Sequence, residues 1–260
     1  MKNYLLSSIH PGAIIGENVI IDPFVTVEKD VVIGAGTHLY PNSVVLNGAR
    51  IGKNCRIMPG AVVAGIPQDL KFKGEDTLAI IGDNTTLREC TTVNRGTASK
   101  GKTIVGSNCL IMAYSHVAHD CVLGNNIILG NATQLAGEVN VEDFAILSGG
   151  CLVHQFSNVG AHVMIQGGSK VNKDVPPYII AAREPIVYAG VNAVGLRRRG
   201  FAVEQVREVQ DIYRILFLSG MNNTQALETI ENEFPESEIR NSIIGFVRGS
   251  QRGILRSNMD

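Results

Sequence analysis

The chain has 260 residues, of which 45% are hydrophobic and only 18% charged, so it can bury a sizeable core and is too apolar for a disordered polymer. Tryptophan is absent and aromatic residues are 5% against 28 glycines, which predicts a core of aliphatic side chains in regular layers joined by tight turns. A net charge of −1 excludes a global basic field of the kind that recruits nucleic acid or an anionic membrane.

Residues 1–8 hold no long apolar segment followed by a small-residue cleavage site, so no secretory leader is expected. No stretch approaches the ~18 consecutive apolar residues of a membrane span, so no stable membrane insertion is expected. The five cysteines (Cys55, Cys90, Cys109, Cys121 and Cys151) are odd in number and scattered, with no Cys-x-x-Cys pair. A cytoplasmic protein with reduced thiols is the expectation.

From Ile9 onward every sixth residue to Val171 is Ile, Leu or Val, except Asp69, Glu75 and Ser99. Neither an amphipathic helix nor an alternating strand keeps aliphatics at that period for so long. Four residues after each member lies a second column of mostly small residues, among them Ala13, Thr37, Ser43, Ala49, Ala61, Thr85, Thr91 and Ala145. Cys55, Cys109, Cys121 and Cys151 fall in it too, which makes them small core residues rather than ligands. Glycine often follows the aliphatic (Gly16, Gly34, Gly52, Gly82, Gly106, Gly124), where a corner is expected to need an unusual backbone angle. Such a repeat predicts a solenoid of short parallel strands, each hexad forming one flat side and a corner.

Residues 64–80 and 94–104 interrupt the columns and are polar or Gly- and Lys-rich, so both are read as external loops, where binding groups concentrate. At 174–178 two prolines are expected to end strand pairing. After about 188 the period becomes helical, with helices predicted over 202–219, 224–233 (capped by Asn223 or Thr224) and 236–247. The domains are therefore 1–188, a repeat solenoid with two loops, and 189–260, a small helical domain.

Chemistry must come from side chains that point outward. Of six histidines, His116 and His119 stand three apart and off the inward column. With three hexads per coil, the count that resemblance to hexapeptide-repeat acyltransferases implies, Gly137 falls one coil beyond His119 and Gln155, beside His154, one coil further, while Glu138 falls one coil beyond Asp120. A glycine over an outward imidazole leaves room for substrate and exposes a backbone N–H, the arrangement that holds a developing oxyanion. The same two histidines could bind zinc, but no further histidine lies one coil away to complete a compact set, so acid–base work is the better reading. His10, His38 and His162 show no constellation. Arg197, Arg198 and Arg199 read either as a solvated helix face or as phosphate capture, with Asn192 nearby. No Walker or dinucleotide glycine loop is present.

Six segments together carry a resemblance: 68–71 (QDLK), 116–121 (HVAHDC), 153–156 (VHQF), 160–164 (GAHVM), 174–178 (DVPPY) and 196–200 (LRRRG). Through them the chain resembles the UDP-N-acetylglucosamine O-acyltransferase family, hexapeptide-repeat enzymes that open lipid A biosynthesis. The resemblance implies an all-β left-handed parallel β-helix with three hexads per coil, followed by a C-terminal α-helical domain. It implies a cytoplasmic homotrimer with sites between neighbouring subunits. The reaction implied moves a (3R)-3-hydroxyacyl chain from acyl carrier protein to the glucosamine 3-hydroxyl of UDP-N-acetylglucosamine, without cofactor or metal.

By the same resemblance His119 is the general base, Gly137 the oxyanion N–H donor and Asp120 a partner of His119. Sequence neighbours on a strand point apart, which speaks against that last contact. Asp69, flanked by Gln68 and Lys71, resembles the sugar-positioning carboxylate. His116, Glu138, His154 and Gln155 match pocket positions, Asn192, Arg198 and Arg199 match nucleotide contacts, and Gly167 matches the gauge of acyl length, its small size implying a long donor. The chain departs from the family at Glu138, where histidine is frequent, at Val194 and at Gln166. A carboxylate at 138 is expected to favour protonated His116 or His119. The sister N-acyltransferases carry a domain before the solenoid, whereas here the hexads begin at Ile9. A γ-type carbonic anhydrase or a non-catalytic scaffold are the readings from other classes.

Overall fold

The computed structural model describes residues 6–257; residues 1–5, on which part of the leader reading rests, and 258–260 lie outside the described residues. From Ser8–Ile9 to Lys170–Val171 the chain winds through short strands, mostly of two residues, each paired in parallel with strands one coil away. The registers His116↔Gln134 and Gln134↔Leu152 advance by three hexads, so one coil is eighteen residues. The architecture is the expected left-handed parallel β-helix with a helical C-terminus.

Three sheets form its sides. The first contains His116–Val117, Gln134–Leu135 and Leu152–Val153; the second Val122–Leu123, Asn140–Val141 and Asn158–Val159; the third Leu110–Ile111, Ile128–Leu129, Ile146–Leu147 and Met164–Ile165. The inward column is partly buried at Ile9, Ile15 and Ile21 and buried from Val27 onward, with Leu87, Ile111, Leu129, Leu135 and Leu147 fully excluded from water. Each such side chain contributes roughly 1.5–3 kcal/mol relative to exposure. The small column is inside as well, and burial pushes the Cys121 thiol up to about 12, so that cysteine is filler rather than nucleophile.

The corners correct one expectation. Positive φ falls not on the glycines that follow the aliphatic but two residues later, at Asn18, Gly36, Asn54, Asn84, Asn108 and Asn126. Asparagine tolerates that left-handed conformation through local hydrogen bonding. The earlier glycines answer to close approach instead. A Cβ on Gly34 would lie 2.5 Å from the carbonyl carbon of Gly52, and one on Gly82 would lie 2.6 Å from that of Gly106.

The prolines at 176 and 177 do not end the third sheet, which continues through Ile179–Ala182 beside Met164–Ile165 and then antiparallel Val187–Val191. That last strand spans the 188/189 boundary read from the change of period. Four helices follow: α1 (Ala193–Arg198), α2 (Val203–Leu218), α3 (Asn223–Glu233) and α4 (Glu238–Gly249). The short α1 carries too little period to be seen in sequence. The cap of α3 is Asn222, one residue before the expected position, because its side chain accepts from Gln225 N while Gln225 Oε1 accepts from Asn222 N. Tyr213 of α2, fully buried, donates to Pro177 O at 2.6 Å and so docks the helices on the last coil. Among the described residues no helix is long and apolar enough to cross a membrane.

Candidate active site

Both interruptions of the repeat leave at the same corner, between the first and second sheets. One runs between the strands Val62–Gly65 and Leu78–Ile81, the other between Thr92–Asn94 and Lys102–Val105. His119, Gly137 and the pair His154 and Gln155 occupy that corner on successive coils, between His116–Val117 and Val122–Leu123 and their counterparts. The helical geometry of the coil therefore stacks residues eighteen apart, and the two excursions fold over the stack.

His119 is 7% exposed. Its Nδ1 lies 2.9 Å from Asp120 Oδ2, and its Nε2 lies 3.9 Å from Asp69 Oδ2. The contact with Asp120 overrules the expectation that sequence neighbours point apart. Asp120 sits at the corner with φ of 60°, a turn that swings its carboxylate onto the preceding ring. Burial alone would raise that carboxyl, but hydrogen bonds from Thr97, His119 and Lys100 outweigh it and hold Asp120 below the usual carboxylate range. An ionised carboxylate only accepts, so Nδ1 carries a proton, and in the neutral ring the lone pair is on Nε2.

Gly137 lies directly over this ring, and a Cβ there would meet His119 Cε1 and Nε2 at 2.5 Å. Asp69 spends Oδ1 on its own turn, accepting from Lys71 N at 2.9 Å, which leaves Oδ2 facing the imidazole. Its excursion is tied to the second one by Asn94 Nδ2, which donates to Ile66 O, and by the Arg95 guanidinium 5.3 Å from the Phe72 ring centre. Gln68 and Lys71 flank Asp69 and are exposed.

His116 is hydrogen-bonded through Nδ1 to Thr92 Oγ1 at 2.7 Å. Burial first, then repulsion between the two imidazoles when both are protonated, holds His116 below its ordinary value, and Glu138 is not among the causes. Glu138, half-buried, donates its N–H to His119 O at 3.0 Å. His154 is exposed on the following coil, and Gln155 O accepts from Arg252 Nη1 at 3.2 Å. Among the described residues no three His, Cys, Asp or Glu side chains converge to hold a metal ion.

The remaining candidates lie at other corners. Asn192 is buried; it donates from Nδ2 to His162 O at 2.9 Å and caps α1 by accepting from Gly195 N. Arg199 stands over Phe144 at 5.3 Å and reaches His162 Nδ1 at 3.5 Å, while Arg198 is exposed on α1. These groups cluster where the second sheet turns into the third. Gly167, exposed, lies at the corner between the third and first sheets.

Several residues of these clusters escaped the sequence reading. His162 stacks on Phe144 at 4.9 Å and on Tyr178 at 5.6 Å, and burial, then Arg199, pushes its pKa down to about 4. The signal was available, since Phe144 and His162 are one coil of eighteen residues apart. Thr97 and Lys100, which hold the Asp120 carboxylate, lie in an excursion that carries no repeat, so nothing in the spacing marked them, whereas Thr103, which accepts from Asp120 N, stands on the strand Lys102–Val105 in the small column.

Comparison with known proteins places the whole chain in a family. The model for "UDP N-acetylglucosamine O-acyltransferase; domain 2" matches residues 174–255, and the bacterial transferase hexapeptide model matches 12–47, 30–65 and 102–137. An acyl-[acyl-carrier-protein]–UDP-N-acetylglucosamine O-acyltransferase of Campylobacter concisus is 40% identical over 98% of this chain and 97% of its own. The Sinorhizobium fredii enzyme of the same name is 42% identical over 98% and 95%. The crystal structure of a UDP-N-acetylglucosamine acyltransferase from Bacteroides fragilis superposes with a TM-score of 0.96 at 53% identity, covering 97% of this chain and 99% of that one. That from Francisella novicida gives 0.95 at 39%, covering 98% and 94%. With the hexapeptide repeat, the fold and full-length similarity in agreement, the chain belongs to the UDP-N-acetylglucosamine O-acyltransferase family.

Proposed function

We propose that the protein transfers a (3R)-3-hydroxyacyl chain from acyl carrier protein to the 3-hydroxyl of UDP-N-acetylglucosamine, the opening step of lipid A biosynthesis, with His119 as general base. The observation that carries the base assignment is the imidazole fixed at Nδ1 by ionised Asp120, with Nε2 turned toward Asp69 beneath Gly137. A sugar hydroxyl held by Asp69 Oδ2 gives its proton to His119 Nε2 as its oxygen attacks the thioester carbonyl. The carbonyl oxygen becomes an oxyanion, stabilised by the Gly137 N–H. Collapse breaks the carbon–sulfur bond, and the carrier thiolate takes the proton back from the imidazolium.

Gln68, Lys71, His116, Glu138, His154 and Gln155 surround the sugar, and Asn192, Arg198 and Arg199 take the nucleotide diphosphate, guanidinium groups being suited to phosphate oxygens. Those two sets sit on different corners of one chain, which is intelligible if the working unit is a trimer. A threefold axis beside the third corner sets the first sheet of one subunit against the third sheet of the next, so both sets line one seam. Exposed apolar residues at that corner and its flanks support this placement: Tyr114, Leu152 and Met164 are 66%, 47% and 39% exposed. Gly167 leaves the same corner open for a long acyl chain.

The test is acyl transfer from 3-hydroxyacyl carrier proteins of several chain lengths to UDP-N-acetylglucosamine. His119→Ala is expected to lose at least ~100-fold in kcat, with long donors preferred by the wild type. Near-normal turnover of the variant would remove the base assignment.

A further inference from the structure

We infer that Thr97 is a positioning residue for the transfer: its hydroxyl and its N–H pin the Asp120 carboxylate against His119 Nδ1 and thereby decide which ring nitrogen is left to accept the substrate proton. The inference rests on the reading of His119 as the base.

Asp120 is wholly buried and belongs to the coil, whereas the groups that hold it come from the second excursion. Its Oδ1 accepts from Thr97 N at 3.0 Å and Lys100 N at 3.2 Å. Its Oδ2 accepts from Thr97 Oγ1 at 2.6 Å and again from Thr97 N at 3.1 Å, beside His119 Nδ1 at 2.9 Å. Thr97 Oγ1 itself accepts from Ser99 N at 3.2 Å, so its one hydrogen is free to go to Asp120. Thr103 Oγ1 accepts from Asp120 N at 2.8 Å, and Lys100 Nζ donates to Asp120 O at 3.1 Å. The carboxylate is thus gripped from one excursion on the side away from the ring, and only its Oδ2 is shared with His119. The shortest of the bonds to the carboxylate, and the only one donated to it by a side chain of the excursion, is that from Thr97 Oγ1.

The sign of its effect follows from the shared oxygen. A hydroxyl donating to Oδ2 binds most strongly when the carboxylate charge is uncompensated, that is, when His119 is neutral. It therefore favours neutral His119 with the proton on Nδ1, and its removal favours the imidazolium. The titratable and charged groups around the pair on other elements are Asp69 in the first excursion, with Oδ2 3.9 Å from Nε2, His116 on the preceding strand, Lys100, whose Nζ donates to Asp120 O, and Glu138, whose N–H donates to His119 O. None of them changes in a Thr97 variant.

Three substitutions separate positioning from simple structural support. Thr97→Val deletes the hydroxyl, keeps the N–H and the shape, and is expected to lower kcat about tenfold with KM for both substrates nearly unchanged. The acid limb of its kcat/KM profile is expected to move up by about half a unit to one unit. Thr97→Ser is expected to restore both. Nitrogen-15 NMR of histidine-labelled protein without substrate, with His119 assigned by its loss in His119→Ala, reads the tautomer directly. The neutral Nδ1-protonated form should dominate in wild type and Thr97→Ser and give ground to the imidazolium in Thr97→Val. Should Thr97→Val not fold, Thr97→Ala against Thr97→Ser carries the same comparison. A wild-type acid limb and a wild-type tautomer in the variant lacking the hydroxyl would overturn the inference, whatever happens to kcat. Because the NMR readout needs no turnover, it stands apart from failure of the base assignment, which His119→Ala turnover reports.

Discussion

The imidazole of His119 is constrained from three directions, and each constraint is a single residue. Asp120 holds one nitrogen, Asp69 faces the other, and Gly137 roofs the ring. The roof admits no side chain. Gly137→Ala places a methyl 2.5 Å from Cε1 and Nε2, so either the ring or the coil must give way. The ring is the softer partner, because Gly137 is locked in the coil through Phe156 N donating to Gly137 O. We expect kcat to fall by about 100-fold, the cost of displacing a reacting group by about an ångström, while the melting temperature moves little. Steady-state kinetics beside thermal denaturation checks this; loss of both together would mean that the coil yields first. The pairing of His119 with Gly137 was legible from the eighteen-residue stacking, because both are members of the repeat. The pairing with Asp120 was not, since a period describes which side a residue faces and not the left-handed φ at which a corner turns it back.

At the scale of elements, the corner between the first and second sheets is where the fold releases its two excursions, and they are mutually braced. Arg95 of the second stands over Phe72 of the first at 5.3 Å, and Asn94 donates to Ile66 O. Asp69 reaches His119 only because the first excursion is held back against the coil. Arg95→Ala removes a cation–aromatic contact worth about 0.5–1 kcal/mol, equivalent to a roughly two- to fivefold rise in KM for the sugar nucleotide. Titration of initial rates with UDP-N-acetylglucosamine measures it, and an unchanged KM would show that Asp69 is placed without this brace. That these segments leave the solenoid was readable from Asp69, Glu75 and Ser99 in the aliphatic column. That both leave at one corner follows from counting hexads, but their folding toward each other depends on non-repeating side chains.

Across the whole molecule, the outward face of the third sheet bears Leu110, Ile128, Ile146 and Met164 in register, an apolar ladder one residue wide per coil. A charge in that ladder tests the trimer argued from the two separated corner clusters. Met164→Glu is expected to shift the protein from trimer toward monomer in sedimentation equilibrium, with transfer activity falling in proportion, since burying an unpaired carboxylate costs several kcal/mol. A variant that remains trimeric and active would place the seam elsewhere. The helical end adds a second global feature. Tyr213 of α2 stacks with Tyr188 and Phe217 and donates to Pro177 O, fastening the last coil to the four helices.

Residue order alone determined the hexad solenoid and the buried small column and, once the resemblance supplied three hexads per coil, the stack of His119, Gly137 and Gln155. Every hexad meets the same demand, to bury one aliphatic and pair its backbone with the coil beside it, so the pattern repeats until it is unmistakable. Tertiary structure decided the rest: the Asp120 carboxylate on His119, the grip of Thr97 and Lys100 upon it, Asp69 opposite, and the His162 cluster under α1. Phe144 over His162 apart, those contacts join chain positions that no period relates, through corners and excursions whose course is fixed only when the coil beneath them is complete.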